Sequence, residues 1–461
     1  MSHPMTSGTH KTRRDATGGQ RADGHRRCRI RRPDPRKIHV RAKEKNLTST
    51  AGLVHFGVFT RDLGLERRLQ PFNRLKAGAS VVYPMAAQMR MLVDAFVLGE
   101  QRIFDLEALA ADPLFVRLSG DVVPSLDTCY RDLCRFDSDS LAELCEIAVD
   151  QGLAPLRGLS LKEAHIDFDT TVETLFGEQQ GALPGPNPRY HGRPSYHPFL
   201  ARIAETDTVV GAVLRPGDTG IGAKDIPWLE ERIDRVKQVI QDDTRLYARI
   251  DAGGDCTAIL NAIHDREVFF VVKAKKTRDL LGAVSQVKEW TTTDWDADGK
   301  PREQVAEIPF VRECWGERKY RIIAVRTRDR KSGEEIFLWD DIDMSVQIFI
   351  TNENIEAPED VARRYNRRAG IEPLIGELKH SWSIGKVPSQ VFEANHAMLL
   401  LKVLAYNLMR RYVRAFFPEL QSWRAAWLRR VLILVPGRLV YSGRSWTLLI
   451  PERSVLTRML N

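Results

Sequence analysis

The stretch HIDFDTTV, residues 165–172, marks the point where the sequence changes from helical to strand-like periodicity. Its apolar residues Ile166 and Phe168 alternate with the acidic residues Asp167 and Asp169. Because successive side chains of a strand point to opposite faces, the alternation predicts a strand with one apolar and one acidic face. The sequence therefore predicts that a sheet begins here.

Strand-like and helix-like patterns alternate downstream of this stretch. The predicted order is three strands, helix, strand, helix and strand, through HIDFDTTV, FLARIAET, TVVGAVLRPG, IPWLEERIDRVKQVI, LYARID, CTAILNAIHDR and VFFVV. The first helix carries a single apolar stripe, with residues at steps of three and four from Ile226 to Ile240. Such alternation predicts an α/β fold with helices packed against a sheet.

Residues 273–353 interrupt the alternation with further strand-like runs. We interpret FVRECW, KYRIIAVRTR, EEIFLWD and SVQIFIT as strands, with hairpin turns at Asp298–Gly299 and Ser332–Gly333. The sequence thus predicts a β-rich insertion. A new helix is expected from Pro358, because proline and two acidic residues are favoured in a first helical turn.

Residues 50–150, before the sheet, have helical patterns. The run MAAQMRMLVDAFVLG ends on Gly99, a typical C-cap, and Ser125 is placed to N-cap a helix that exposes Arg131 and Arg135. A small helical unit with exposed arginines can read DNA, but many core helical bundles share the pattern. Both interpretations are open at this point.

The composition, 43% apolar and 28% charged over 461 residues, is that of a soluble globular protein. There is no apolar run long enough to span a membrane and no apolar segment typical of a secretory signal, so a cytoplasmic location is expected. The six cysteines are scattered without a CxxC pair, so neither a disulfide framework nor a zinc site is predicted.

The positive charge of the chain is concentrated in residues 1–45. They contain ten arginines and four lysines against three aspartates and one glutamate, a net charge of +10, whereas the other residues sum to −2. With few large apolar residues, this tail is predicted to be disordered. It is either an arm that attracts phosphate backbone or a leader without function.

Two aspartates are predicted at strand ends. Asp169 lies in the first strand, and Asp251 ends the fourth, just before two glycines. Ligands of open α/β sheets bind outside the carboxyl ends of strands, and carboxylate oxygens are the ligands that Mg²⁺ prefers. Since aspartate is also common before turns, a metal site and an ordinary turn are both compatible with these positions.

The stretch YNRRAGIEPLIGELK, residues 365–379, brings four polar residues within an arc of about 60° on an ideal helix. They are Tyr365, Arg368, Glu372 and Lys379. Pro373 removes a helical hydrogen bond, so the helix is either kinked or restarts near Gly370. If it restarts, only Glu372 and Lys379 share a face. The alternative to a functional face is a solvated one.

The spacing of these four residues, Y-x2-R-x3-E-x6-K, resembles the signature of cut-and-paste transposases of bacterial insertion sequences. These are DDE enzymes with an RNase-H-like catalytic domain. The motif D-x-T at Asp169 and Thr171, the motif R-x-D-x-G at Arg249, Asp251 and Gly253, and the run FEANHAMLLLKVLAYNLMRRY also resemble that family. The resemblance covers about residues 50–450.

The resemblance implies a catalytic triad of Asp169, Asp251 and Glu372 that holds two Mg²⁺ (or Mn²⁺) ions. One metal would activate the attacking water or 3′-hydroxyl, and the other would stabilise the leaving oxygen. Asp169 is chosen over its neighbour Asp167 because it fits the D-x-T register. The resemblance also implies contacts to transposon-end phosphates, for which the candidates are Tyr365, Arg368, Lys379 and Arg249.

Related members place an aromatic residue of the β-rich insertion against a flipped base. Trp290, Trp295 and Trp315 are the candidates here, with a buried core tryptophan as the alternative for each.

The sequence therefore predicts an α/β protein with an RNase-H-like mixed sheet, flanking helices, a β-rich insertion and a helical N-terminal domain. The expected divisions are 1–45 (disordered basic tail), 46–158 (helical DNA-binding domain), 159–272 and 354–415 (catalytic domain), 273–353 (insertion) and 416–461 (C-terminal region).

The function implied is metal-dependent DNA cleavage and strand transfer. The expected partners are double-stranded DNA, as terminal inverted repeats and as target, and a second copy in a synaptic complex, with no membrane. The expected location is the cytoplasm of a bacterium, in association with the nucleoid. Two alternatives are an inactive or domesticated DNA-binding descendant and a related metal nuclease.

Overall fold

The computed structural model describes residues 34–187, 189–328, 336–339 and 342–459. Contacts divide the chain into two units, with the boundary between Lys45 and Asn46. In the first unit, the described residues form one 3₁₀ turn, Pro35–Lys37, which Asp34 caps. The prediction of a disordered tail falls mainly on residues 1–33, which lie outside the described residues.

The second unit, residues 46–461, contains the helices and the sheets. The helices are α1 (Leu53–Asp62), α2 (Leu65–Leu69), α3 (Met85–Leu98), α4 (Leu106–Leu109), α5 (Pro113–Leu118), α6 (Leu126–Leu133), α7 (Ser138–Leu153), α8 (Ile226–Lys237), α9 (Thr257–Asp265), α10 (Arg278–Ser285), α11 (Pro358–Asn366), α12 (Ile371–His380), α13 (Phe392–Phe416) and α14 (Ala425–Leu428).

The strands follow in the same chain order. They are β1 (Leu47–Thr48), β2 (Glu163–Thr170), β3 (Glu173–Thr174), β4 (Leu183–Pro184), β5 (Pro194–Tyr196), β6 (Phe199–Ile203), β7 (Thr208–Val213), β8 (Arg245–Ile250), β9 (Phe269–Lys273), β10 (Thr291–Trp295), β11 (Pro301–Ile308), β12 (Arg321–Thr327), β13 (Ile336–Trp339), β14 (Ile342–Thr351), β15 (Gly437–Ser442) and β16 (Ser445–Leu449).

One large mixed sheet organises the α/β part of the second unit. Its strand order is β10-β11-β12-β14-β9-β8-β2-β6-β7, with β13 paired to β14. Strands β2, β8 and β9 are parallel, whereas β6 and β7 are antiparallel to their neighbours. The first five strands of this sheet to appear in the chain therefore lie in the order 3-2-1-4-5, which is the RNase-H-like arrangement. The predicted fold class is confirmed.

The β-rich region after β9 extends the same sheet. Strand β14 pairs antiparallel with β9 through Thr351 and Val271, and β12, β11 and β10 follow outward. The predicted turn at Asp298–Gly299 joins β10 to β11, with Gly299 at a φ of 73°. The predicted turn at Ser332–Gly333 lies outside the described residues.

Several segments form the structures that their local sequence predicts. Gly99 ends α3 at a φ of 109°, and the Ser125 side chain accepts a hydrogen bond from the Thr128 N–H at the start of α6. The predicted strand in FVRECW is wrong: its end forms a 3₁₀ turn, Glu313–Trp315. That turn buries Trp315 in the core, where its ring packs edge-on against Tyr320.

The N-terminal helices share a hydrophobic core with the C-terminal half of the second unit. The rings of Phe56 and Phe59 in α1 lie 5.6 and 5.5 Å from that of Tyr412 in α13. Helix α7 packs against both α13 and the edge strand β7. Asn407 of α13 bonds the backbone N–H and C=O of Val209 in β7, so this edge is covered. The helical region is therefore joined to the large sheet through a continuous core.

Helix α13 is strongly apolar because it lies inside this core. Among the described residues, no helix combines the length and the apolar character that crossing a membrane requires.

Candidate active site

The parallel strands β2 and β8 place two carboxylates at one edge of the sheet. Phe168 pairs with Ile250, so the residues that follow them, Asp169 and Asp251, emerge side by side. Asp251 leaves the strand in a tight turn, in which its Oδ1 accepts the Gly253 N–H at 2.9 Å. The carboxyl end of the parallel strands is where ligands of open α/β sheets bind.

Helix α12 supplies the third carboxylate of the predicted triad. Helix α11 ends at Asn366, a 3₁₀ turn spans Arg367–Gly370, and α12 begins at Ile371. Pro373 is therefore the third residue of α12, where a backbone N–H would have no partner within the helix. The helix restarts, as one of the two sequence-based alternatives predicted, and Glu372 lies in its first turn.

The three carboxylates line one cavity of about 510 Å³. Tyr365 and Arg368 line it too. Sequence reasoning missed the other lining residues, which are Ala252, Lys273, Gln347, Asn366 and Ala369. A signal existed for Lys273, because it ends β9, the parallel neighbour of β8, and so lies beside Asp251. Gln347 belongs to β14, whose pairing with β9 no local pattern indicates.

The cavity holds an excess of negative charge around Asp169. Burial raises the pKa of Asp169 to about 6. Arg368 opposes this shift, whereas the negative charges of Asp251 and Glu372 add to it. A bound cation would relieve this repulsion.

The signature residues Arg368 and Lys379 make contacts within the protein. Arg368 Nη2 lies 3.0 Å from Asp169 Oδ2 and donates to the Phe168 carbonyl at 3.2 Å. Lys379 Nζ donates to Thr171 Oγ1 at 2.9 Å and to the Val172 carbonyl at 2.7 Å. The two residues thus attach α12 and the preceding 3₁₀ turn to β2 and the segment after it.

Tyr365 lies at the end of α11 and is mostly buried. Its ring centroid is 4.5 Å from that of Phe349 in β14, and burial raises the pKa of its hydroxyl to about 12. The four signature residues therefore do not form one exposed face. Tyr365, Arg368 and Glu372 meet at the cavity, and Lys379 lies at the far end of α12.

Arg249, predicted to contact DNA, lies beneath the site. Its side chain is 1% exposed, and its guanidinium binds both oxygens of Asp167. Within the described part of the chain, Arg249 does not line the cavity. This position does not support a DNA contact by Arg249.

The donor chemistry of the cavity fits a hard divalent cation, because three carboxylates from separate elements line it. As the side chains stand, no group of three or more His, Cys, Asp or Glu in the described residues is arranged to hold a metal ion. Asp169 is turned toward Arg368, and Asp251 accepts the Gly253 N–H. Binding would therefore require these side chains to turn inward.

The three candidate tryptophans have different surroundings. Trp315 is 2% exposed and belongs to the core, and Trp290 is half-buried beneath the guanidinium of Arg326. Trp295, at the end of β10, is 58% exposed. Of the three, Trp295 is the one whose ring is accessible to a base.

An RNase-H-like sheet with carboxylates at the ends of β2 and β8 and on α12 defines the class of DDE enzymes that cut nucleic acids. The family model described as transposase DDE domain group 1 matches residues 31–461. The chain belongs to this family of DDE transposases.

The other comparisons add little to this assignment. No curated protein matches the chain. Among solved structures, one similar chain is that of the cryo-EM structure of the piggyBac transposase synaptic complex with hairpin DNA. The sequence identity is 12% and the TM-score is 0.45, over 83% of this chain and 79% of that chain.

Proposed function

We propose that this transposase excises and inserts a bacterial insertion sequence by metal-dependent DNA cleavage and strand transfer. One observation carries the proposal: Asp169, Asp251 and Glu372, from three separate elements, line a single cavity at the carboxyl end of the parallel strands. Carboxylates arranged in this way are what phosphoryl transfer on DNA requires, since the reaction develops charge at phosphorus that must be neutralised.

Each residue of the triad has a proposed role. Asp169, Asp251 and Glu372 would hold two Mg²⁺ or Mn²⁺ ions, which when bound supply activation of the attacking oxygen and stabilisation of the leaving oxygen. Burial raises the pKa of Asp169 to about 6, so this carboxyl group ionises less readily than an ordinary aspartate. A cation favours its charged form and so competes with protonation below neutral pH.

The proposed DNA contacts come from Tyr365, Arg368 and Lys379. In the absence of DNA, Arg368 is paired with Asp169, and Lys379 lies 3.3 Å from Glu173 Oε1. We propose that Arg368 and Lys379 leave these carboxylates and bind phosphate oxygens when a transposon end binds. For Arg368 the exchange would also release Asp169 toward the metal site.

The proposed substrate is double-stranded DNA, as terminal inverted repeats and as target. Because strand transfer joins both ends of an element to one target, we propose that two copies of the chain act together in a synaptic complex. Inverted repeats on either side of the gene would identify the element.

The direct test is cleavage of DNA carrying the element's ends, with Mg²⁺ and the full chain. We expect wild type to cut at the ends and Asp251→Ala to lose at least about 10³-fold in rate. Asp243→Ala is a matched control, because Asp243 is exposed in the loop just before β8. Equal cleavage by wild type and Asp251→Ala would exclude this site.

A second assay supplies pre-cut ends and measures their joining to a target plasmid. Joining supports a transposase that carries out strand transfer. Cleavage without joining would favour a metal nuclease. Binding to the ends with neither reaction would favour an inactive or domesticated descendant.

A further inference from the structure

A buried ion cluster lies next to the proposed catalytic residues, on three adjacent strands of the large sheet. It consists of Arg202 in β6, Asp167 in β2 and Arg249 in β8, which occupy directly paired positions on three adjacent strands. Asp167 is 0% exposed. Its Oδ1 accepts from Arg249 Nε at 2.6 Å, and its Oδ2 accepts from Arg249 Nη2 at 3.0 Å and from Arg202 Nη1 at 3.1 Å.

Such a cluster is a costly way to fill a core. Burying three charges carries a desolvation penalty that their mutual attraction often only offsets, so apolar residues would stabilise the fold as well. Buried ionic groups can instead specify one arrangement of the elements that contact them. The contacts of this cluster therefore indicate what it specifies.

Both arginines of the cluster touch the segment that leads to Glu372. Arg249 Nη1 donates to the Arg364 carbonyl at 2.9 Å, one residue before Tyr365. At the other end, Gly370 lies so close to Arg202 that an added Cβ would be 3.0 Å from Arg202 Nη1. The guanidinium of Arg202 is itself held by Asp167 and by Asp207, so it cannot move away freely.

We propose that Asp167, Arg202 and Arg249 are positioning residues that set residues 364–370 on the sheet and thereby aim Glu372 at Asp169 and Asp251. The inference rests on the proposed function, because it assigns these residues to the same site. It also replaces the sequence-based prediction that Arg249 contacts DNA.

The cluster complements the Arg368–Asp169 pair, which also ties this segment to β2. In the proposed exchange that pair opens, because Arg368 leaves Asp169 for a phosphate oxygen. Asp167 is enclosed beneath the segment and makes its contacts within the protein, so the cluster can hold residues 364–370 in place while Asp169 is in use.

The first test measures amide hydrogen exchange of the full chain, which does not depend on activity. Asp167→Asn keeps the side-chain shape but removes its charge, and Arg249→Lys cannot bind both Asp167 and the Arg364 carbonyl in the same way. We expect both variants to speed exchange in residues 364–372 by about tenfold or more, with α8 and α9 unchanged.

Asp94→Asn is the control for loss of a buried ion pair. Asp94 in α3 is bound by Arg90 through two hydrogen bonds of 2.8 and 3.2 Å, as Asp167 is bound by Arg249. We expect it to leave exchange in residues 364–372 unchanged. If Asp94→Asn and Asp167→Asn have the same effect there, the inference is wrong.

The second test uses a steric change that removes no charge. Gly370→Ala would press a methyl group against Arg202, whereas Gly376→Ala in α12 meets nothing within 4 Å. We expect Gly370→Ala to lower the cleavage rate at saturating DNA by roughly tenfold, because the contact must give by a few tenths of an ångström and a displacement of about 1 Å costs about 100-fold. End-DNA affinity should fall by a smaller factor than the cleavage rate, because Lys379 lies outside residues 364–370 and keeps its proposed contact. Gly376→Ala should cleave normally.

The two tests separate the inference from the proposed function. Altered exchange in residues 364–372 with an inactive wild type would refute the proposed function and keep the positioning role. Active wild type with unchanged exchange and unchanged cleavage in Asp167→Asn and Gly370→Ala would refute the positioning role alone. Loss of DNA affinity in Arg249→Lys, with normal exchange, would restore Arg249 as a DNA contact.

Discussion

Two aspartates that lie two positions apart in β2 have different surroundings. Asp167 is enclosed between two arginines, while Asp169 lines the cavity and is turned toward Arg368. Both point to the same face of the sheet, as their spacing requires. The difference arises because Asp167 has a neighbour on each side in the sheet, whereas Asp169 is near the end of the strand.

The pKa of Asp169 leads to a prediction about stability and pH. Because the folded-state pKa is about 6 and the unfolded value is about 3.9, the folded protein holds this proton more tightly. The stabilising contribution is complete below pH 3.9 and is lost as the pH rises through about 6. Relative to wild type, Asp169→Asn should therefore gain up to about 3 kcal/mol in the free energy of unfolding between pH 4 and pH 7.

Urea unfolding of both proteins at several pH values measures this gain. Asp169→Asn also leaves Arg368 without a charged partner, which lowers the free energy of unfolding by an amount independent of pH. The change in the difference between the two proteins with pH does not contain this amount. A difference between the two proteins that is independent of pH would mean that the pKa of Asp169 is near its ordinary value.

At the scale of elements, the break between α11 and α12 decides where Glu372 lies. The 3₁₀ turn Arg367–Gly370 offsets the two helices, and Pro373 occupies the first turn of the second. A proline is tolerated there, because the first backbone N–H groups of a helix have no partner within it. Pro373 is therefore compatible with the helix that carries Glu372.

We therefore expect Pro373→Ala to change the free energy of unfolding by less than about 1 kcal/mol and to retain cleavage. Gly376→Pro, one turn further along α12, should cost about 3 kcal/mol or more, because it removes a helical hydrogen bond and meets the preceding turn. Thermal unfolding of the two variants measures both effects. A large loss of cleavage by Pro373→Ala would show that the proline itself positions Glu372.

The hairpin formed by β10 and β11 carries the accessible tryptophan. Trp295 is 58% exposed, so Trp295→Ala should change the free energy of unfolding by no more than about 0.5 kcal/mol. If Trp295 stacks on a base, the variant should lose roughly 1–3 kcal/mol in end-DNA binding or cleavage.

Trp315→Ala provides the contrast, since removal of this buried ring should cost about 3–5 kcal/mol in stability. Cleavage by Trp295→Ala at the wild-type rate and affinity would exclude a base contact by this residue.

At the scale of the whole molecule, residues far apart in sequence build one core. Helices from the first third of the second unit pack on α13, and β1 pairs with β15 near the other end of the chain. The N-terminal helices therefore depend on the C-terminal half for burial of their apolar faces.

The charge of the chain is divided unevenly between its two units, with +10 in residues 1–45. Affinity for DNA falls as the salt concentration rises. If this tail is a phosphate-binding arm, its removal should make the plot of log affinity against log salt concentration less steep, because fewer counterions are released. Binding titrations of the full chain and of residues 46–461 at several salt concentrations measure the slope. An unchanged slope would favour a tail without a role in binding.

Local sequence patterns determined much of this protein's structure. The alternation in β2, the stripe of α8, the cap at Gly99 and the restart before Glu372 all depend on residues within a few positions of each other. Such signals are readable because backbone sterics and hydrogen bonding act over short distances in the chain. The order of strands and the three carboxylates followed from these signals and from the resemblance to DDE transposases, and the catalytic role of these residues stays a prediction.

Only the tertiary structure decided which residues surround the carboxylates. The pairing of β14 with β9 adds Gln347 to the cavity, and the pairing of β2 with both β6 and β8 turns Arg249 inward to Asp167. These contacts join residues up to about 200 positions apart, as between Arg368 and Phe168. No local pattern specifies these contacts. An arginine is buried only where an acidic partner is packed against it, and the residues next to it in the sequence do not show whether a distant strand supplies that partner.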